Sequence, residues 1–173
     1  MRDVAPPMAD LGGPIPYVGL QSMLDPLFPK GGRYSMRSGM LAGLPAEAIS
    51  AIISTHATTP MPACEIHVHD FGGAVARVDA DATAFGDRSA PYVLNIVGGW
   101  PSATSDDESL AWVRSVGARL DEYCTGSVYS NYMGAEGADR AAAAYGSKLP
   151  RLRELKRAWD PDNVFRRNQN ITP

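Results

Sequence analysis

The sequence contains only two cysteines, three histidines and no long uninterrupted apolar stretch. Cys64 and Cys124 lie far apart without CxxC or Cys/His ligand spacing, so the pattern suggests neither a disulfide framework nor a zinc site. No run approaches the roughly 18 apolar residues that a membrane span needs, and the first residues lack the basic-then-apolar order of a signal peptide. We therefore expect two buried thiols in a cytoplasmic protein without a membrane partner.

The chain also carries little net charge. Its formal charge is −3, from 16 basic and 19 acidic side chains, which argues against a general attraction to nucleic acid or to membrane surfaces. Residues 148–173 differ, because they contain seven Lys or Arg against three Asp or Glu. Such a run is typical of a solvated helix face, or of a docking surface for an acidic partner or a phosphate-bearing cofactor.

Motifs for phosphate binding and for serine hydrolysis are missing as well. The glycines of GGAVARVDADATAFGDR (residues 72–88) lack the GxGxxG or GxxxxGK(S/T) spacing that lets backbone N–H groups surround a phosphate. No GxSxG motif marks a nucleophile elbow. We interpret these glycines as turn residues and do not expect a hydrolase.

The length and composition are those of an ordinary globular domain, since 173 residues with 45% hydrophobic side chains can bury a core. Pro and Gly dominate residues 1–33 and predict an irregular lead-in. Strands are predicted at Arg33–Leu41, in ACEIHVH and AVARV joined by a tight turn at residues 70–73, and at Pro91–Gly99. The segment LPAEAISAIIS predicts a helix that buries Ile49, Ile52 and Ile53.

The second half of the sequence predicts further helices. A capping box of Ser105 and Glu108 is expected to begin a helix whose apolar face carries Leu110, Val113, Gly117, Leu120 and Tyr123. After a strand-like GSVYSNY, an alanine-rich helix ends at Gly146, and a last helix near Pro150 stops at Asp160-Pro161 with Leu152, Leu155 and Trp159 on one side. Because the strand spacings leave no regular βαβ alternation, we predict an α+β fold, an antiparallel sheet covered by helices.

Two short polar clusters are candidates for chemistry. Glu65, His67 and His69 alternate, so on a strand they share one face, as a metal set would. A half-exposed polar sheet face has the same pattern, and we expect no metal site. Tyr129 and Asn131 would face one way on a strand and Tyr132 the other, presenting a hydrogen-bonding pair and a phenol, or simply packing.

The C-terminal sequence carries a resemblance to a known family. YSNY at residues 129–132, YG at 145–146 and RLRELKRAWDPDNVFRRNQNI at 151–171 resemble the C-terminal signature of berberine bridge enzyme-like FAD-linked oxidases, a branch of the vanillyl-alcohol-oxidase superfamily. PYVGLQSMLD, the FGGAVARVDADATAFGDR run and the helix around Trp112 resemble the later part of that family's substrate domain. The resemblance implies a partial substrate-binding domain at 1–126 and a berberine-bridge-type segment at 127–173, which in full-length relatives packs on the FAD domain.

The resemblance also implies roles for individual residues. Tyr132 takes the place of the tyrosine that acts as general base, while Tyr129 and Asn131 would line the flavin. Arg77 stands where plant members carry a glutamate base, and an arginine cannot accept a proton. It would therefore bind an anionic substrate or lower the pKa of Tyr132. Alternatively, it only lies on the solvent-exposed side of a strand. Arg88 matches a family arginine and would contact substrate, whereas Asp87 replaces a frequent histidine.

The implied activity is that of the substrate-domain and C-terminal part of an FAD-dependent oxidoreductase. It would oxidise an alcohol, a sugar or a natural-product small molecule by base-assisted hydride transfer to flavin. No segment matches the family's N-terminal FAD-binding half, so we expect FAD to bind only together with a complementary FAD-binding domain. The expected protein partner is a separate polypeptide that carries this domain, or further copies of this chain in a homo-oligomer. The alternatives are a flavin-free module that uses the same pocket for ligand binding or non-redox rearrangement, and an inactive truncated product.

Overall fold

A computed structural model describes residues 12–134, 138–167 and 169–173. The chain divides into two units, Met1–Gly31 and Gly32–Pro173. Within the first unit, the described residues form a short helix, α1 (Tyr17–Ser22), and a 3₁₀ turn at Asp25–Leu27. Prolines precede or open both elements, and proline fixes φ without supplying an N–H donor. The irregular lead-in is therefore confirmed over residues 12–31.

The second unit is built on a three-stranded antiparallel sheet in the order β1-β3-β2. The strands are β1 (Arg33–Leu41), β2 (Glu65–Asp70) and β3 (Tyr92–Trp100). The central strand, β3, is buried at every residue from Val93 to Trp100. A strand covered on both faces reads as an almost continuous apolar run, as its sequence does. The predicted α+β class and antiparallel sheet are confirmed.

Helices α2 (Ala46–His56) and α4 (Asp106–Leu120) cover one face of this sheet. The core on this side joins strand residues to α4, and its members are Leu41, Leu94, Ile96, Trp112, Val113, Val116 and Leu120. Burial of a side chain of this size contributes about 1.5–3 kcal/mol. The expected burial of Val113, Gly117 and Leu120 is confirmed.

Two predictions about these helices are wrong. Ile52 packs against the core as predicted, but Ile49 and Ile53 are 44% and 65% exposed, and the residues that α2 buries are the smaller Ala48 and Thr55. Ser105 makes no side-chain cap, since it belongs to a 3₁₀ turn at Ala103–Ser105. The start of α4 is anchored by Asp106, which accepts hydrogen bonds from Arg33 at 2.6 and 2.7 Å.

The prediction of a strand in AVARV (residues 74–78) is also wrong. The chain leaves the sheet after β2 and returns to it directly before β3. The two ends of this excursion are joined by a hydrogen bond from the Phe71 N–H to the Pro91 carbonyl at 2.8 Å. Gly73 has φ +60°, and the next residues form one helical turn, α3 (Ala74–Arg77). Residues 71–91, called the 71–91 loop below, therefore replace the expected hairpin.

The C-terminal part follows the sequence more closely. The predicted helices are α5 (Ala138–Tyr145) and α6 (Leu149–Trp159), separated at Gly146, which has φ +50°. Left-handed backbone of this kind favours glycine. The stop at Asp160 is confirmed, whereas the strand expected in GSVYSNY is wrong, because Ser130–Tyr132 form a 3₁₀ turn. In the parts of the chain described, no helix is both long and apolar enough to cross a membrane.

Candidate functional site

The sheet face opposite α4, called the site face below, carries most of the polar strand residues. Strand side chains alternate between faces, so three rows of paired residues cross this face. The rows are Met40–Val93–His69, Ser38–Asn95–His67 and Met36–Val97–Glu65. Two of these rows end in a histidine, and the middle row is polar in all three strands. Glu65, His67 and His69 thus share one face, as their alternation predicts.

A C-terminal segment is attached along the outer edge of β1. The Thr125 N–H donates to the Met40 carbonyl at 2.8 Å, and the Met40 N–H donates to the Ser127 carbonyl at 2.9 Å. Further along, the Ser38 hydroxyl donates to the Tyr129 carbonyl and accepts from the Tyr129 N–H, both at 3.1 Å. These bonds hold the backbone of Tyr129 beside the site face.

The side chains of Tyr129 and Tyr132 lie at the centre of an aromatic cluster. Their ring centroids are 5.0 Å apart at 88°, an edge-to-face arrangement. Phe71 and Phe85, from the 71–91 loop, lie 5.5 and 5.7 Å from Tyr129, and His69 lies 5.6 Å from Tyr132. Aromatic pairs of this geometry contribute about 0.5–1.5 kcal/mol each beyond their burial. The cluster packs on Met40, Ala90 and Val93.

Asn131 belongs to the same assembly. Its Nδ2 donates to the Tyr129 hydroxyl at 2.8 Å, although its side chain is exposed. On a strand Tyr132 would have faced away from the other two residues. The 3₁₀ turn at Ser130–Tyr132 brings all three side chains together, since it does not alternate faces as a strand does.

The protonation states of this cluster follow from its burial. Burial and then the neighbouring Tyr129 raise the pKa of Tyr132 above its ordinary value. Burial and then His67 lower the pKa of His69. At neutral pH the phenol therefore holds its proton and the imidazole of His69 is neutral.

One buried ring nitrogen on β2 has no hydrogen-bond partner. His67 Nε2 lies 2.5 Å from Glu65 Oε2, and the His67 and His69 rings meet edge to face at 5.8 Å. His69 Nε2 is buried without a hydrogen-bond partner. Across the described ranges, no group of three or more His, Cys, Asp or Glu is arranged to hold a metal ion.

The two predicted arginines have different surroundings. Arg88 Nη1 donates to the Val75 carbonyl and Nη2 donates to the Thr83 hydroxyl, both at 2.9 Å, and its guanidinium lies 4.8 Å from the Phe85 ring centroid. Arg88 thus holds the 71–91 loop against the aromatic cluster. Arg77 is exposed at the end of α3. Since the pKa of Tyr132 is raised, the structure offers no support for a lowering by Arg77, whose site role stays a prediction.

The 71–91 loop is held in place by further contacts. Gly86 lies against the end of α5, where a Cβ would stand 2.0 Å from the Ala144 carbonyl oxygen. Asp87 accepts from the Ser89 N–H and hydroxyl at 2.9 and 2.7 Å. Burial alone would raise the pKa of Asp87, but the hydrogen bonds from Ser89 hold it below its usual value.

Sequence reasoning missed the residues that support the tyrosines. Ser38, Phe71 and Phe85 lie between 44 and 91 positions from Tyr129 in the chain, and no local pattern relates them to it. The alternation on β2 is a detectable signal for His69, but not for its contact with Tyr132.

Comparisons with known proteins identify the C-terminal segment. Residues 128–172 match the family model described as berberine and berberine like. An FAD-linked oxidoreductase of Dictyostelium discoideum is 32% identical over 161 residues, which cover 92% of this chain and 35% of that protein. The chain thus spans about a third of that relative's length.

Solved structures agree with this. A flavoenzyme, CrmK, involved in shunt product recycling in caerulomycin biosynthesis superposes with a TM-score of 0.76 at 26% identity, over 92% of this chain and 37% of that one. A glycopeptide hexose oxidase complexed with teicoplanin gives a TM-score of 0.73 at 26% identity, over 83% and 33% of the two chains. The family resemblance predicted from the sequence is confirmed.

Proposed function

This chain carries a berberine and berberine-like domain at residues 128–172, within a longer similarity to FAD-linked oxidoreductases, and from this we propose that it supplies the substrate-facing sheet and C-terminal segment of such an enzyme. The observation that carries the proposal is the joining of Tyr129, Asn131 and Tyr132 into one cluster on the site face. In this proposal residues 1–126 are part of the substrate-binding domain and residues 127–173 are the C-terminal segment.

The residues of the cluster suit contact with the ring of a flavin. Asn131 presents an exposed amide beside two half-buried phenols, and an amide offers both donors and an acceptor to a heteroaromatic edge. A diphosphate would need a set of backbone N–H donors such as a glycine-rich loop at a helix N-terminus supplies. Residues 1–173 contain no such motif. FAD would therefore be held mainly by a complementary domain.

Each side chain would have a defined task during substrate oxidation. A flavin bound here would supply hydride-accepting chemistry, and Tyr132, as its phenolate, would take the hydroxyl proton of the substrate. Tyr129 and Asn131 would contact the edge of the flavin ring, and their mutual hydrogen bond would keep both side chains in position. Because the pKa of Tyr132 is raised in this chain, forming that phenolate needs a cation or a hydrogen-bond donor that comes with the flavin or the substrate.

The substrates we propose are hydroxyl-bearing natural products or sugars. This class rests on the relatives, since one of the similar solved structures is a hexose oxidase and another takes part in caerulomycin biosynthesis. Arg77 and Arg88 would contact the substrate or its negatively charged substituents. For Arg88, a substrate contact would use the guanidinium N–H groups that are not bonded to Val75 or Thr83.

The test is a chimera in which residues 12–173 replace the matching third of the Dictyostelium relative. We expect it to hold flavin stoichiometrically and to lose flavin absorbance when sugars or hydroxylated natural products are added without oxygen. Tyr132→Phe should slow flavin reduction about 10²–10⁴-fold, the usual contribution of a general base. Tyr123→Phe is the matched control, because Tyr123 packs in the core on the other side of the sheet.

A folded chimera without flavin would refute the proposal. An unchanged reduction rate in Tyr132→Phe would remove that residue from the mechanism while leaving the oxidoreductase assignment intact. The isolated chain should bind FAD weakly or not at all, and equilibrium dialysis that finds tight stoichiometric FAD would contradict that expectation.

A further inference from the structure

A cavity of about 800 Å³, called the β1 groove below, lies between β1, α4 and the residues that follow the Ser130–Tyr132 turn. Its lining includes residues 32–37, Asp106, Leu110 and Arg114 of α4, and Met133 and Gly134. The described residues that line it include no member of the aromatic cluster. Its volume lies within the range of about 300–1,000 Å³ that is usual for small-molecule sites. The β1 groove is therefore a second candidate site, separate from the one described above.

The β1 groove is positively charged, although the chain as a whole is negative. Its described lining contains Arg33, Arg37 and Arg114 against one acidic residue, Asp106, which gives a formal balance of +2. The formal charge of the whole chain is −3. A cavity lined by charges of one sign concentrates ligands of the opposite sign. The groove is thus suited to an anion.

Two of the three arginines have carboxylate partners. Arg33 donates to Asp106 at 2.6 and 2.7 Å, and Arg37 donates to Asp121 at 2.8 Å. The two arginines are four residues apart on β1, which separates their Cα atoms by about 14 Å. Each ion pair uses only part of a guanidinium, because arginine has five N–H donors. Both side chains therefore keep donors for a further acceptor.

The third arginine, Arg114, has no carboxylate partner among the described residues. It is exposed on α4, at a position between Asp106 and Asp121. Side chains that could pair with it along the helix lie three or four positions away. These neighbours are Leu110, Ala111, Gly117 and Ala118, and none of them is acidic. The β1 groove therefore contains a cation without a counter-charge.

Apolar side chains line the groove beside this cation. They are contributed by Met36, Leu110, Val113 and Met133. Methionine is unbranched and flexible, so it adapts to ligands of different shape. The segment that carries Met133 lies close to β1, since a Cβ at Gly134 would stand 3.3 Å from the Met36 carbonyl oxygen. The groove thus offers an apolar surface next to an unpaired positive charge.

We propose that the β1 groove binds a small amphipathic carboxylate, with its anionic group at Arg114 and its apolar body against Leu110 and Met133. Arg33 and Arg37 flank the anion and supply additional donors. Hydrogen bonds between arginine and a carboxylate are roughly twice as strong as neutral ones, so the charge of the ligand decides most of its affinity. This site goes beyond the proposed function, because no member of the aromatic cluster takes part in it.

The test is isothermal titration calorimetry of the whole chain, without flavin, with 3-phenylpropionate as the probe. We expect one site, whose Kd rises about tenfold or more in Arg114→Gln, since this variant loses a charge-assisted hydrogen bond. Arg119→Gln is the matched control, because Arg119 lies on the same helix but donates to the Ser54 hydroxyl of α2 at 2.9 Å. The neutral 3-phenylpropionamide should bind at least about tenfold more weakly, and added salt should weaken binding of the carboxylate.

A second measurement locates the site without any variant. In NMR spectra of the wild-type chain, 3-phenylpropionate should shift the amide resonances of residues 33–37, Leu110 and Arg114 and leave those of Tyr129 and Tyr132 in place. Because Arg114 is exposed, Arg114→Gln should keep its thermal midpoint within about 2 °C of wild type. If that variant does not fold, the wild-type resonances decide the matter.

Four results would overturn the proposal. They are no binding to the wild-type chain, equal affinity for the amide, an unchanged Kd in a folded Arg114→Gln, and amide shifts confined to the aromatic cluster. None of these readouts involves flavin. Failure of the β1 groove would therefore leave the chimera test untouched, and a chimera without flavin would refute the proposed function alone.

Discussion

Tyr132 illustrates how neighbours set the chemistry of a single side chain. It is half-buried among aromatic rings, and its pKa is raised first by burial and then by Tyr129. A raised phenol pKa means that ionisation begins at a higher pH than the ordinary value near 10. The phenolate, which is the form that can accept a proton, is therefore scarce at neutral pH in the isolated chain.

This gives a prediction for the titration of the phenol. In ¹³C-tyrosine NMR, the Tyr132 resonance should titrate above the ordinary value of about 10, and Tyr129→Phe should move the titration back toward it. The reason is that Tyr129 contributes to the upward shift. Arg77→Met should leave this titration unchanged, because Arg77 is exposed at the end of α3. A titration below 10 that rises in Arg77→Met would instead restore the arginine as an electrostatic partner.

At the scale of elements, the end of α6 depends on one carboxylate. Asp160 pairs with Lys156 one turn earlier and accepts from the Val164 N–H at 2.7 Å and the Phe165 N–H at 3.1 Å. The hydrogen bond from Lys156 is the main cause that lowers the pKa of Asp160. These bonds fold the chain back after the helix ends.

The order of this turn should depend on pH with a definite sign. A carboxylate whose folded pKa is lowered stabilises the fold above its unfolded pKa of about 3.9, and the stabilisation is lost as pH falls through the folded value. The amide resonances of Val164 and Phe165 should therefore shift below about pH 4 in the wild-type chain. Asp160→Asn should abolish that titration, whereas Asp162→Asn should preserve it. Identical curves for wild type and Asp160→Asn would contradict this account.

The 71–91 loop gives a second prediction at this scale. Arg88→Met removes two hydrogen bonds from a charged donor and a contact with Phe85. We expect the free energy of unfolding in urea to fall by about 1.5–3 kcal/mol, with faster proteolysis of the loop. Arg77→Met is the matched control, and an exposed position of this kind should change stability by less than about 0.5 kcal/mol. Equal losses in the two variants would argue against a structural role for Arg88.

At the scale of the whole molecule, α6 and the residues that follow it expose a group of apolar side chains, called the apolar patch below. Its members are Leu155, Trp159, Val164 and Phe165, and Trp159 and Phe165 are 84% and 82% exposed. Exposed apolar patches on proteins generally mark interaction surfaces. We propose that a complementary FAD-binding domain covers this patch, and that the isolated chain associates with itself through it.

Light scattering should accordingly show association of the isolated chain that decreases in Trp159→Gln. Ile53→Gln is the matched control, since Ile53 is exposed on α2, outside the patch. The fluorescence of Trp159 should shift to shorter wavelength as the protein concentration rises, because association removes water from its ring. A strict monomer with a fully water-like Trp159 would exclude this use of the surface.

Much of the architecture could be predicted because it depends on local regularities. The alternation and apolar runs of β1 and β3, the periodic apolar face of α4, and the Gly146 and Asp160 stops each depend on a few adjacent residues. The two strand predictions that failed, at α3 and at the Ser130–Tyr132 turn, occur where β-type composition lies near glycines. Strand formation needs hydrogen bonds to another segment, which composition alone does not reveal.

The sequence by itself determined the resemblance to FAD-linked oxidases, the α+β class and the residue types of the candidate site, because these depend on motif, periodicity and side-chain chemistry. Only the tertiary structure decided which of those residues meet. The register of β2 on β3 placed His69 beside Asn95, and the attachment of residues 124–129 to β1 brought Tyr132 to His69. Contacts between residues far apart in the chain arise from packing and pairing of whole elements, so no short stretch of sequence encodes them.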